Sequence, residues 1–203
     1  MIYVVDYGLG NVQAFLTMFK RLGFAAASAR SSTDLENATK IILPGVGAFD
    51  HAVELLNQSG MREQLEKRVL MDKVPLLGIC VGMQLLANGS EEGQAPGLGW
   101  VPGRVRSFRS VEPSMHLPQP HMGWNDVTVD DASTIFANMV NPRFYFLHSY
   151  FFDCERPDNA IAHSSYGLDF TCAVRADNVY GVQFHPEKSH HFGTQLLKNF
   201  AEL

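Results

Sequence analysis

Cysteine is scarce in this sequence. The 203 residues hold three, Cys80, Cys154 and Cys172, an odd number set far apart. They form no disulfide framework and no C-x-x-C metal pair, and such usage points to a reducing cytosol. Positive charge is also in short supply: 16 Lys and Arg stand against 21 Asp and Glu, a net charge of −5, with no basic cluster or basic helix face. Nucleic-acid binding therefore has little electrostatic support. No apolar run approaches the roughly 20 residues that a membrane helix needs. The chain starts on an apolar strand-like run, Ile2-Tyr3-Val4-Val5, rather than on a basic segment and cleavage site, so export is not expected. Internal repeats and low-complexity segments are missing as well.

What is present is an ordinary globular composition, 46% hydrophobic and 18% charged. Its length suits one domain, 1–203, better than two. The first half alternates strand and helix signals. Apolar runs at Ile2–Asp6, Lys40–Leu43 and Pro75–Ile79 each end in a turn, at Tyr7–Asn11, Pro44–Gly47 and Gly78–Gly82. Val12, Phe15, Leu16, Phe19 and Leu22 follow helical spacing, with Asn11 as cap and Gly23 as stop. Further helices are expected around Phe49–Leu56, Met61–Met71 and Met83–Ala87. Ala25-Ala26-Ala27 is a weak strand sequence. From Gly97 onward Gly and Pro become frequent, and β-rich runs appear at Arg104–Phe108, Phe144–Tyr150, Thr171–Arg175 and Val179–Phe184. A final helix spans about Phe192 to Ala201, and Glu112–Pro120 reads as an extended loop. These units predict an α/β fold: a mostly parallel central sheet with helices on both faces, plus antiparallel β structure in the second half. Ligands in such sheets bind at the carboxyl ends of the strands.

Gly78-Ile79-Cys80-Val81-Gly82 puts a thiol at a strand-to-helix turn, with glycine two residues away on each side. The G-x-S-x-G elbow of hydrolases has this form, and the tight turn leaves no room for a side chain at the glycines. A helix start just after the thiol also favours its ionised form. An isolated cysteine at a strand end is more often inert core; the double-glycine frame argues against that here. Nucleophilic cysteine needs a base and a group that orients the base. Of eight histidines, His185 closes the apolar run Val179–Phe184 and precedes Pro186-Glu187. Proline stops the strand and is expected to hold His185 at the sheet edge, with Glu187 within reach of its second ring nitrogen. His121 and His148 sit in distinctive runs that line a site without supplying the base. No histidine cluster has metal-ligand spacing, and Gly8-x-Gly10 fails as a dinucleotide fingerprint because position 13 is Gln. Neither a metal nor a cofactor is expected.

The stretches LPGVG (43–47), GICVGMQLL (78–86), SEEG (90–93), PHMGWN (120–125), YFLHSY (145–150) and QFHPEKS (183–189), together with DYGLGN (6–11), resemble the class I glutamine amidotransferases over essentially the whole chain. PGVGAF, PHMGWN and HPEKS resemble the histidine-biosynthesis branch of that family in particular. The resemblance implies a flavodoxin-like amidotransferase domain and a triad of Cys80, His185 and Glu187. It implies oxyanion donors at Val81 and at Val46–Gly47, and contacts to L-glutamine from Gly45, Gln84, Glu92, Leu147, His148 and Ser149. It also implies a heterodimer with a HisF-like cyclase/synthase subunit, a (β/α)8 barrel that consumes the ammonia. Asn11, Met122, Trp124, Tyr145 and Lys188 would face that barrel, with Gly8 and Gly10 nearby. Two other readings stay open at this point: a paralogue that feeds a different synthase, such as one amidinating a surface sugar, and a non-catalytic regulatory subunit of the same fold.

Overall fold

The computed structural model describes all 203 residues. In chain order the strands and helices are β1 (Ile2–Val5), α1 (Val12–Leu22), β2 (Ala26–Ala29), β3 (Lys40–Gly45), α2 (Phe49–Gln58), α3 (Arg62–Glu66), β4 (Leu76–Cys80), α4 (Val81–Gln84), β5 (Gly89–Ser90), β6 (Gly103–Ser107), β7 (His121–Asp126), β8 (Thr128–Val129), β9 (Arg143–His148), β10 (Tyr150–Cys154), β11 (Ala160–Ser165), β12 (Asp169–Ala176), β13 (Val179–Val182) and α5 (His190–Glu202). The main sheet runs β2-β1-β3-β4-β13-β12-β10-β6-β5, with β11 added on β12 and β8 on β11. Its first five strands are parallel. Beyond β13 the pairing turns antiparallel through β12, β10 and β6. A separate two-stranded antiparallel ribbon pairs β7 with β9.

The parallel strands read as continuous apolar runs because they are covered on both faces. Ile41 to Gly45 and Leu76 to Cys80 are all buried, and both strands contribute to one contiguous apolar core. Right-handed crossovers put α1, between β1 and β2, on one face of the sheet and α2 with α3, between β3 and β4, on the other. The closing helix α5 packs beside α1. Asn11 caps α1 as expected, its side-chain oxygen accepting the Ala14 N–H at 3.2 Å, and Gly23 ends it with φ 81°.

Several expectations shift in detail. The weak alanine run does form a strand, beginning at Ala26 and running on to Ala29, because β1 supplies a template with Ile2 opposite Ala26 and Val5 opposite Ala29. The helix expected over Met61–Met71 is α-helical only to Glu66 and then widens into a π-helical turn, Lys67–Met71. The helix expected over Met83–Ala87 lies earlier and is a single turn, Val81–Gln84. That shortness leaves first-turn N–H groups, rather than a long helix dipole, facing the thiol. PHMGWN forms strand β7, and Ala160–Ser165 forms β11, two strands not anticipated from the sequence pattern.

The β3–β4–α4 junction is built on glycine. A Cβ on Gly82 would run into the carbonyl oxygen of Leu43, and one on Gly78 would lie 2.6 Å from the carbonyl oxygen of Gly82. Both obstacles are backbone, so neither yields to a rotamer change. Gly82→Ala should therefore destabilise the fold by about 3 kcal/mol, lowering Tm by roughly 6–12 °C for a domain of this size. Gly89→Ala, whose Cβ would meet only the Ala95 oxygen at 4.0 Å, should leave Tm nearly unchanged in the same thermal melts.

Candidate active site

The carboxyl ends of β3, β4 and β13 converge on one cavity of about 300 Å³. Cys80 closes β4 with φ 55° and ψ −113°, a backbone conformation that non-glycine residues rarely take and that functional turns hold under strain. The turn leaves Sγ at the cavity floor, 3.9 Å from the Leu147 carbonyl oxygen. The amide of Gln183, fully buried, donates to Sγ at 3.8 Å, and the Gln84 amide donates to the Gln183 oxygen at 3.0 Å. In the sequence Gln183 opens the QFHPEKS stretch (183–189) with no role of its own. The sequence signal for a role at the sulfur is a polar side chain in the otherwise apolar run Val179–Phe184.

His185 lies past the end of β13, in the middle of the sheet rather than at its edge. That corrects the sequence expectation: β13 pairs on both sides, with β4 and with β12, so proline ends an interior strand. The His185 main chain is pinned by β9. Its N–H donates to the Tyr145 carbonyl at 2.9 Å, while Ser189 Oγ donates to the His185 carbonyl at 2.6 Å and accepts the Tyr145 N–H at 3.0 Å. The ring Nδ1 is 2.8 Å from Glu187 Oε1, and both side chains are almost wholly buried. Nε2 is buried and has no hydrogen-bond partner, which leaves it free to exchange a proton at the cavity.

The electrostatics follow from that arrangement. Burial by itself pushes the His185 pKa down. Hydrogen bonding to Cys80 and Glu187, and the negative charge on both, outweigh it and raise the ring to about 9. Cys154 and Cys172 lack such neighbours, and burial drives both thiols up, Cys154 to about 11.

At the cavity wall His148 pairs with His121, which lies behind it. His148 Nδ1 donates to the Tyr150 carbonyl at 2.7 Å, so its Nε2 must accept from His121 Nδ1 at 3.0 Å. His121 Nε2 in turn faces the Asn125 amide at 3.3 Å. Burial lowers His148 to about 3 and His121 to about 4, so both rings are neutral and their tautomers are set by the network. His148 lines the cavity, and His121 holds it from the inner face of β7.

The cavity collects most of the expected site residues: Val46, Gly47, Cys80, Val81, Gln84, Glu92, Leu147, His148, Ser149, His185 and Lys188, with Pro120 and Tyr150 in addition. Gly45 is not part of the lining. It lies beneath the Val46–Gly47 turn, where a Cβ would come 2.6 Å from the Gly82 nitrogen. Met122 and Trp124 stand exposed on the outer face of β7, at 65% and 42%. Trp124 stacks on His190 and meets Tyr145 edge-on, and Lys188 Nζ lies 5.7 Å over the Tyr145 ring. These side chains make one aromatic and cationic rim beside the cavity mouth. Asn11 follows β1, at the same carboxyl end of the sheet. No group of three or more His, Cys, Asp or Glu side chains is placed to hold a metal.

A strained thiol with a buried imidazole and carboxylate in series, at the floor of a small cavity, defines a cysteine-dependent acyl-transfer site. The family model for glutamine amidotransferase class-I matches residues 3–203. The chain is 62% identical to "Imidazole glycerol phosphate synthase subunit HisH" of Bdellovibrio bacteriovorus and 48% identical to the protein of that name from Leptospira interrogans, each over the full length of both chains. A solved structure described as a glutamine amidotransferase superposes with a TM-score of 0.77 over 100% of this chain and 99% of its own, at 22% identity, and bears out the fold. The chain belongs to the class I glutamine amidotransferase family. Within it, the full-length likeness to the HisH proteins places the chain in their branch.

The raised His185 pKa has two measurable consequences. In NMR titration the ring should change charge near pH 9 rather than 6.5, and in Glu187→Gln the midpoint should fall. Because the folded value lies above the unfolded one, the stability contributed by this charge is complete below about pH 6.5 and is lost as pH rises through about 9. A midpoint that stays near 6.5 would contradict the ion pair.

Proposed function

We propose that this chain, a single amidotransferase domain, is the glutaminase subunit of an imidazole glycerol phosphate synthase, releasing ammonia from L-glutamine for a cyclase partner in histidine biosynthesis. The observation that carries the chemistry is the buried series Cys80–His185–Glu187 at the floor of the cavity. His185 takes the Cys80 proton, and the thiolate attacks the side-chain amide carbon of glutamine. The oxygen of the tetrahedral intermediate is held by the Val81 N–H and by the peptide around Val46–Gly47, where glycine at φ 88° permits the needed orientation. Collapse expels ammonia, with the imidazolium supplying the proton. Water, deprotonated by His185, then cleaves the γ-glutamyl thioester to glutamate and free thiol. Glu187 keeps the ring in register throughout. Gln84, Glu92 and the backbone of Leu147, His148 and Ser149 hold the amino-acid head.

Ammonia must leave without being protonated in bulk water, so the cavity mouth needs a cover. The rim of Met122, Trp124, Tyr145 and Lys188, with Asn11 beside it, supplies an aromatic and cationic face for a HisF-like (β/α)8 barrel, giving a heterodimer. No helix is long and apolar enough to cross a membrane, and we place the complex in the cytoplasm. The readings as a feeder of another synthase or as a non-catalytic subunit are not favoured: the triad is intact, and the full-length relatives carry the imidazole glycerol phosphate synthase name.

The deciding assay is glutamine hydrolysis by wild type and Cys80→Ala, alone and with the synthase plus its nucleotide ligand. Turnover should rise when the liganded synthase is added and should be abolished in the variant. Turnover that ignores the synthase would point to a different partner, and equal activity in the two chains would overturn the nucleophile.

A further inference from the structure

We infer that Asp50 is a positioning residue for the amino-acid head of the substrate, acting through Glu92, and that the two carboxylates form a clasp joining the head-binding loop to the oxyanion turn. This rests on the glutamine reading above. Helix α2 begins immediately after the Val46–Gly47 turn, and its cap residue Ala48 provides no side-chain acceptor. Glu92, 43 residues further along the chain, fills that gap: its Oε2 accepts the Phe49 N–H at 2.9 Å. The carboxylate of Asp50, the next residue of the helix, reaches back the other way. Its Oδ2 accepts the Gln94 N–H at 2.9 Å and its Oδ1 the Ala95 N–H at 3.0 Å. Gly93 is required between them, because a Cβ there would run into the Asp50 carboxylate. Ser90 Oγ accepts the Glu92 N–H at 3.0 Å and closes the turn.

The clasp divides the work of Glu92 between its two oxygens. Oε2 is committed to the start of α2, three residues beyond Val46. Oε1 has no hydrogen-bond partner in the protein, and Glu92 lines the cavity, so a substrate ammonium can take that oxygen. Asp50 lines no part of the cavity. What it does is hold the main chain of residues 94 and 95, and so the turn on which Glu92 is carried. A substrate head seated on Glu92 is thereby tied through one carboxylate and one N–H to the turn that must receive the developing oxyanion.

The test compares two reagents for Cys80. 6-Diazo-5-oxo-L-norleucine carries the α-amino and α-carboxyl groups of glutamine, whereas iodoacetamide carries neither. Losing one charge-assisted contact at the head should slow labelling by the first reagent about tenfold in Asp50→Ala, with iodoacetamide alkylation unchanged within about twofold. Asp50→Asn, which keeps one acceptor oxygen, should fall between Asp50→Ala and wild type. In a Glu92→Gln background the Asp50→Ala change should add little, since both act on one contact. Equal slowing with both reagents would mean a general disturbance of the fold and would overturn the assignment, as would wild-type rates in Asp50→Ala or fully additive losses in the double variant. Wild type that reacts with iodoacetamide but not with the glutamine-like reagent would overturn the glutamine reading itself and this inference with it.

Discussion

The backbone of Cys80 is the constraint around which the rest is arranged. Its φ of 55° costs conformational energy that an L-residue would ordinarily shed by relaxing. Relaxation is blocked because β4 is paired on both sides and α4 starts at the very next residue, pressed against β3. Glycine at 45, 78 and 82 lets three backbones approach where side chains would collide. The same closeness that strains the turn exposes the sulfur and turns the following N–H groups toward the cavity. Strain and exposure are thus one feature of the junction.

A second requirement concerns charge. The triad places an imidazole and a carboxylate almost out of contact with water, where an unpaired charge is costly. The arrangement is tolerable because the charges face one another in series, with Glu187 on Nδ1. His121 and His148, buried in an aromatic cluster with Phe108, Phe146 and Phe170, take the opposite course. They stay neutral and spend their ring nitrogens on hydrogen bonds to each other and to Tyr150. His185 and the His121–His148 pair are therefore pushed in opposite directions, and the difference comes from the thiol and carboxylate within reach of His185 alone.

The main chain supplies the rigidity that both arrangements need. The ribbon β7–β9 is not part of the main sheet, yet Tyr145 on β9 bonds to both His185 and Ser189. Its outer face carries Met122 and Trp124, and its inner face carries His121. One short ribbon thus stands between the exposed rim and the base.

Much of this was legible in the residues themselves. Alternating apolar runs and turns announced the parallel half of the sheet, because strands buried on both faces need unbroken apolar sequence. The glycine-framed thiol and His-Pro-Glu singled out Cys80, His185 and Glu187, because strained turns and strand stops demand particular residue types. Other features depend on partners distant in the chain and left little local trace. The edge strand Ala26–Ala29 exists because β1 offers it hydrogen bonds, and β7 exists because β9 does. His185 came to lie in the sheet's interior because β12 returns antiparallel along β13. Gln183 beneath the sulfur, the tautomers of His121 and His148, and the exchange between Asp50 and Glu92 all join residues dozens of positions apart. The sequence by itself determined which chemistry was possible, since that rests on residue type and local backbone. Which groups meet, and in what state of charge, only the tertiary structure decided, because burial and distance do not exist until the chain has folded.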